Sequence, residues 1–116
     1  MDERLEKALD FSNYRLTIET QKVNLKTRIE TLQTIMYQNG IWKADPTTIS
    51  FVHSLIENEI NTSVLIDSRG NPFQIDDLRL FKVALIEAYN SAMNEFLVES
   101  QKLTKARNIK KLMDWQ

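Results

Sequence analysis

The chain has 116 residues, of which 42% are hydrophobic and 27% charged, and its formal net charge is −1. This composition suits a folded protein and argues against disorder, and the balanced charge gives no reason to expect nucleic acid or an anionic membrane as partner. There is no cysteine, which excludes disulfides and thiolate metal sites, and no stretch approaches the roughly 20 apolar residues that cross a bilayer. A single domain over residues 1–116 is expected.

The only glycines and prolines are Gly40, Pro46, Gly70 and Pro72. Proline removes a backbone donor and clashes with the preceding turn, and glycine is entropically costly inside a helix. Two arms free of both residues flank this punctuated centre. The first is predicted to be a helix over 2–38. Asp2, Glu3 and Glu6 stand in its opening turns, where acids oppose the helix dipole. Phe11, Ile18, Leu25 and Leu32 recur every seven residues, with Ile29 and Met36 four after the last two. The stripe has coiled-coil character but weakens over 19–24. Asn39-Gly40 reads as a helix stop, since both residues tolerate positive φ.

Residues 41–46 read as a connection into a second helix, with Asp45 as cap, Pro46 as first residue and an end near Glu59 or Ile60. Ile49, Val52, Leu55, Ile56 and Ile60 form its apolar face. Val64-Leu65-Ile66 and Phe73-Gln74-Ile75 flank a turn-rich Asp67-Ser68-Arg69-Gly70-Asn71, which predicts a β-hairpin with strands near 63–67 and 73–75. Residues 40–76 are thus a helix-plus-hairpin insert. Asp76 or Asp77 then caps a second helical arm over 77–115. Leu78, Leu85, Ala92 and Ala106 share one seven-residue spacing, and Tyr89, Phe96 and Leu103 share another, interrupted near 99–102. The fold class expected is mainly α: two long antiparallel helices joined by a short helix and a small β-hairpin. Folding the arms back sets Asp2, Glu3, Glu6 and Asp10 beside Lys105, Arg107, Lys110 and Lys111.

No phosphate loop, paired catalytic carboxylates or nucleophile–base constellation is recognisable. His53 is the only histidine and lies beside the apolar face of the second helix, without an identifiable partner. The acids Asp45, Glu57, Glu59, Asp67, Asp76 and Asp77 have capping and turn roles as their simplest reading. The 67–71 loop lacks the alternating acids of a calcium loop. No cofactor or metal is expected, and no enzyme activity.

Lys102, Lys105, Arg107, Lys110 and Lys111 form a basic run without an acid. One reading is phosphate contact with a nucleic acid. The other is a helix C-terminus that favours positive charge. The tail that follows has the same duality: Leu112, Met113 and Trp115 form either a docking peptide or the closure of a bundle.

The opening Met1-Asp2-Glu3-Arg4-Leu5-Glu6-Lys7-Ala8-Leu9 and the ending Asn108-Ile109-Lys110-Lys111-Leu112-Met113-Asp114-Trp115 resemble small uncharacterised proteins of T-even-like marine tailed phages, cyanophages in particular. The resemblance implies a viral origin and a role in virion assembly or in phage DNA metabolism, and it supplies no functional residues. Leu112, Met113, Asp114 and Trp115 also resemble the C-terminal peptides by which phage late-transcription proteins bind the sliding clamp, although Gln116 departs from an apolar end.

Two long striped arms carry more apolar surface than a hairpin can bury. The function expected is therefore non-enzymatic self-association and protein–protein contact, as a dimer or higher oligomer, with Ile18, Leu25, Ile29, Leu32, Leu85, Tyr89, Phe96 and Leu103 among the packed residues. The alternative is a phage DNA-metabolism or late-transcription accessory that uses the basic run and tail to bind nucleic acid or a clamp. No signal-peptide core follows Met1, so a cytoplasmic protein is expected, in the host cytoplasm or the virion if viral, with no membrane partner.

Overall fold

The structure is a computed structural model. It describes the backbone of residues 2–114 and the side chains of 2–106. The elements in chain order are α1 (Glu3–Leu32), β1 (Thr34–Tyr37), β2 (Gly40–Lys43), α2 (Pro46–Glu57), β3 (Ser63–Ile66), β4 (Pro72–Ile75) and α3 (Leu78–Asp114). The fold is mainly helical, as expected, with α1 and α3 as the long elements. β1 pairs with β2 and β3 with β4, both antiparallel, as two separate two-stranded sheets.

The first arm differs from expectation. The helix predicted over 2–38 ends at Leu32, and residues 34–43 form a hairpin where the sequence suggested a helix end and a connection. Gln38 and Asn39 are its two loop residues and both have positive φ, 46° and 68°, as a type I′ hairpin turn requires. Asn39-Gly40 therefore marks a strand reversal, not a helix stop. Long-range contacts decide the matter. The Gln33 carbonyl accepts the Ala44 N–H at 2.6 Å, and its side-chain amide donates to the Ala44 carbonyl at 3.3 Å. These bonds close the base of the hairpin, while Ile35 and Tyr37 on its inner face pack on the core.

The chain forms two compact units, one from residues up to Arg28 with those from Glu95 onward, the other Ile29–Asn94. The second holds the core: Trp42, Ala44, Val52, Leu65, Ile75, Leu78, Phe81 and Leu85. Phe81, Ile75, Leu78, Leu85 and Val52 are its largest fully buried side chains, each contributing roughly 1.5–3 kcal/mol through burial. Strand alternation supplies the inner faces: Gly40 and Trp42 from β2, Ser63 and Leu65 from β3, Phe73 and Ile75 from β4. Aromatic rings join the hairpins to α3. Tyr37 stacks on Phe81 with centroids 5.0 Å apart, and Trp42 meets Phe81 edge-on at 5.1 Å and Phe73 at 6.4 Å.

Capping follows the sequence closely. Asp45 accepts the Thr48 N–H at 2.8 Å ahead of Pro46. The other end of α2 closes as a Schellman turn: Glu59 N–H donates to Ile56 and Ile60 N–H to Leu55, with Glu59 at φ 62°. Of the two aspartates offered as the cap of α3, Asp77 takes the role, accepting from Arg79 and Leu80. β3 and β4 are joined by a loop in which Gly70 has φ +83° and donates to the Asp67 carbonyl at 3.0 Å. The strand ends 63–66 and 72–75 match the predicted hairpin to within one residue.

In the first unit, α1 and α3 run antiparallel. Tyr14 donates to the Ala106 carbonyl, and fourteen residues further along α1, Arg28 pairs with Glu95. Ile18 is the buried hydrophobic residue of this unit among those described.

Gly40 is required by packing. A Cβ built there lies 2.8 Å from three atoms of the Trp42 indole, whose Nε1 donates to the Tyr37 carbonyl at 3.0 Å. Gly40→Ala is expected to displace the indole and to cost about 1–3 kcal/mol, as overpacking typically does. The check is a lowered Tm with a shifted Trp42 emission, read in a Trp115→Phe background.

Candidate functional site

Two features of the second unit stand out: a buried carboxylate that ties the hairpins together, and an apolar cleft beside it. Asp67 follows β3, and its side chain is fully enclosed. One oxygen accepts the amides of Arg69 and Asn71, each at 3.0 Å, within its own loop. The other accepts the Ile41 amide of β2 at 3.0 Å and the Arg69 Nε at 3.1 Å. The neighbouring Ser68 N–H donates to the Ile41 carbonyl at 2.8 Å, and Arg69 reaches the Asn39 carbonyl at 3.2 Å. One loop thus clamps the turn of the other hairpin. Burial by itself raises the pKa of such a carboxyl. The amides of Ile41 and Asn71, the Arg69 guanidinium and the Arg69 amide outweigh it and hold the group at about 2, against its ordinary 3.8.

The cleft is lined by Trp42 and Lys43 of β2, Thr47, Thr48, Phe51 and Val52 of α2, and residues 64–68, with a volume of about 500 Å³. Phe51, Val64 and Ile66 present exposed apolar side chains, Ile66 at 71% of its full accessibility. These residues were not singled out by the sequence reading. Three consecutive apolar residues in a strand cannot all face one core, so alternation sets Leu65 against Val64 and Ile66, and the structure puts Leu65 inward and the other two outward.

His53 lies outside that cleft, with a half-exposed side chain. Lys82 Nζ stands 2.7 Å from its Nδ1, and Glu57 lies 3.5 Å from its Nε2. An ammonium only donates, so Nδ1 can serve only as acceptor in this contact. The histidine therefore has partners: Glu57 lies one turn away on α2, whereas Lys82 comes from α3, which the sequence did not connect to it. The remaining acids are dispersed: Asp45 and Asp77 are caps, and Asp76 accepts from Gln74 at 3.2 Å. Among the described residues no group of three or more His, Asp or Glu is placed to hold a metal ion, and no helix is long and apolar enough to cross a membrane.

Of the basic run, Lys102 pairs with Glu99 at 3.1 Å and Lys105 is exposed. Arg107, Lys110, Lys111, Leu112 and Met113 belong to α3, but their side chains lie outside the described set, and Trp115 lies outside the described residues. Of the residues expected at an oligomer interface, Ile18, Ile29 and Leu85 are buried within one chain. Leu85 has no exposed surface at all and belongs to the intrachain core, so it is unavailable to a second copy. Leu25, Tyr89 and Leu103 are half-buried, and Leu32 and Phe96 are exposed. The two weak points of the helical seams coincide in space. Gln21, Asn24, Leu25 and Arg28 of α1 line a groove with Glu99 and Leu103 of α3.

Comparison with protein families, with curated proteins and with solved structures gives no match.

A carboxylate with a lowered pKa contributes stability that is fully present above its ordinary pKa and is lost as pH falls through the folded value. For Asp67 that window runs from 3.8 down to about 2. Asp67→Asn turns an amide NH2 toward the donors of Ile41 or Arg69. It is expected to lower Tm near neutral pH and to flatten the fall in Tm across that acid window. A wild-type slope in the variant would assign the acid lability to other carboxylates.

Proposed function

We propose that the protein is a non-enzymatic, self-associating helical protein that works by protein–protein contact. The observation that carries this reading is the unfilled apolar surface of the α1–α3 arm. On α1, Leu9, Leu16 and Val23 recur every seven residues, with Leu5 four residues before Leu9, and all four are exposed. Ile18 and Leu25 lie on the other side of the helix and are buried or half-buried. On α3, Leu97 and Val98 are also exposed. A helix with two apolar stripes satisfies one against its hairpin partner and leaves the other for a further helix. Closed symmetric assemblies, dimers above all, are the usual way such surface is covered. The likeness of the chain's two ends to small proteins of marine tailed phages supports placing this role in virion assembly, in the host cytoplasm or the virion.

Light scattering coupled to size exclusion is expected to give a dimer or higher oligomer. Leu16→Glu is expected to shift it to monomer with unchanged helical circular dichroism, because an exposed substitution costs the isolated fold little, within about 0.5 kcal/mol. A compact wild-type monomer at micromolar concentration would sink the proposal.

A further inference from the structure

We infer that the cleft between β3, β2 and α2 takes an extended peptide, which adds as a strand to the unpaired edge of β3, seats apolar side chains against Phe51 and places a carboxylate beside Lys43. This surface lies within residues 29–94 and goes beyond the assembly proposed for the arm.

Hydrogen-bond register carries the first step. Asp67 N–H donates to the Asn71 carbonyl at 2.9 Å, which makes 67 and 71 a bonded pair. Bonded and non-bonded pairs alternate along an antiparallel ladder. Leu65 and Phe73 therefore bond each other, whereas the Ile66–Pro72 and Val64–Gln74 pairs direct their backbone groups away from the hairpin. Pro72 agrees with this phase, since it has no N–H to offer. The amides and carbonyls of Val64 and Ile66 thus point to the free edge of β3. No residue of β4 lines the cleft, and Trp42 and Lys43 form its far wall, so that edge opens into it.

The same alternation applies to β2. Tyr37 and Gly40 close a two-residue loop as a bonded pair, so Ile41 and Lys43 direct their backbone groups outward. Those of Ile41 are taken by Asp67 and Ser68. The β2 and β3 edges are therefore joined at the Asp67 end and form no ladder further along, where the cleft begins. On β2 the Lys43 carbonyl accepts the Asp45 N–H at 3.0 Å, so the edge with both donors and acceptors unpaired is that of β3. Such an edge beside an apolar floor is the element of strand addition. Peptide main chain supplies the hydrogen bonds, and alternate side chains enter the groove.

Charge selects the occupant. The cleft lining holds two ionised side chains. Asp67 is enclosed and saturated by hydrogen bonds. Lys43 is exposed and forms no ion pair among the described residues. The accessible charge is thus a single cation, which matches an acidic residue on the incoming strand. The β3 edge of a second copy offers Val64 and Ile66 with Asp67 already committed, and so lacks the free carboxylate.

The test titrates the full-length chain with a capped peptide that alternates valine and threonine and ends in aspartate, read by amide chemical shifts. Shifts at Lys43, Phe51, Val64 and Ile66 are expected. Replacing the terminal aspartate with lysine should weaken binding roughly threefold, the scale of an exposed charge pair. Methylating peptide nitrogens on one alternating set should abolish binding, and on the other set should not. Val64→Pro deletes an edge donor that β4 does not use, and it should weaken binding at least about fivefold, the scale of one lost hydrogen bond. Unchanged Trp42 and Phe81 resonances in that variant, and loss of binding in Phe51→Ala, separate the effect from misfolding. No shifts at millimolar peptide would overturn the inference. So would equal binding by both methylated peptides, or concentration-dependent protection of the Val64 and Ile66 amides without peptide, which would assign the edge to a second copy.

Discussion

The folded insert depends on one buried carboxylate. A single two-stranded hairpin is marginal in water, and this chain has two, each only four residues per strand. They are not hydrogen-bonded into one sheet. Asp67 makes them a unit by accepting from the Ile41 amide of one hairpin while closing the loop of the other. A carboxylate in a dry site is costly unless its lone pairs are filled. Here four donors fill them, and Arg69 balances the charge. The arrangement ties backbone to backbone through one side chain, so it fixes where the hairpins meet.

Around that tie aromatic rings link the hairpins to α3. Trp42 sits between Phe73 and Phe81, and Phe81 in turn stacks on Tyr37. The indole lies directly over Gly40, its neighbour but one on β2. A position that reads in sequence as conformational punctuation is in the structure a steric one. Gly70 is the opposite case. Nothing lies within 4 Å of its missing Cβ, and its role is the positive φ of the loop. With these two glycines, space is what matters at one position and backbone geometry at the other.

The insert and the arm stand in contrast. Residues 29–94 close a core with fully buried side chains, whereas the arm exposes Leu5, Leu9, Leu16 and Val23 along α1. A pair of helices has too little interior to enclose several large side chains on both. The proposed assembly is the physical consequence of that shortage, and the interruptions at Gln21, Asn24 and Glu99 place polar groups opposite one another along the seam.

The sequence by itself determined the helical class, the two long arms, the cap at Asp45, a cap at Asp76 or Asp77 and the hairpin around Gly70. Each of these rests on local chemistry: a period, a capping oxygen, a residue that tolerates positive φ. It did not reveal the hairpin at 34–43. Thr34 to Tyr37 continue an apolar helical spacing, and their strand conformation follows from the Gln33–Ala44 bonds and from Tyr37 stacking on Phe81. Nor did it reveal the Asp67–Ile41 tie, the Lys82–His53 contact or the cleft beside β3. Each joins residues between 11 and 44 positions apart, and only tertiary structure sets which distant groups meet.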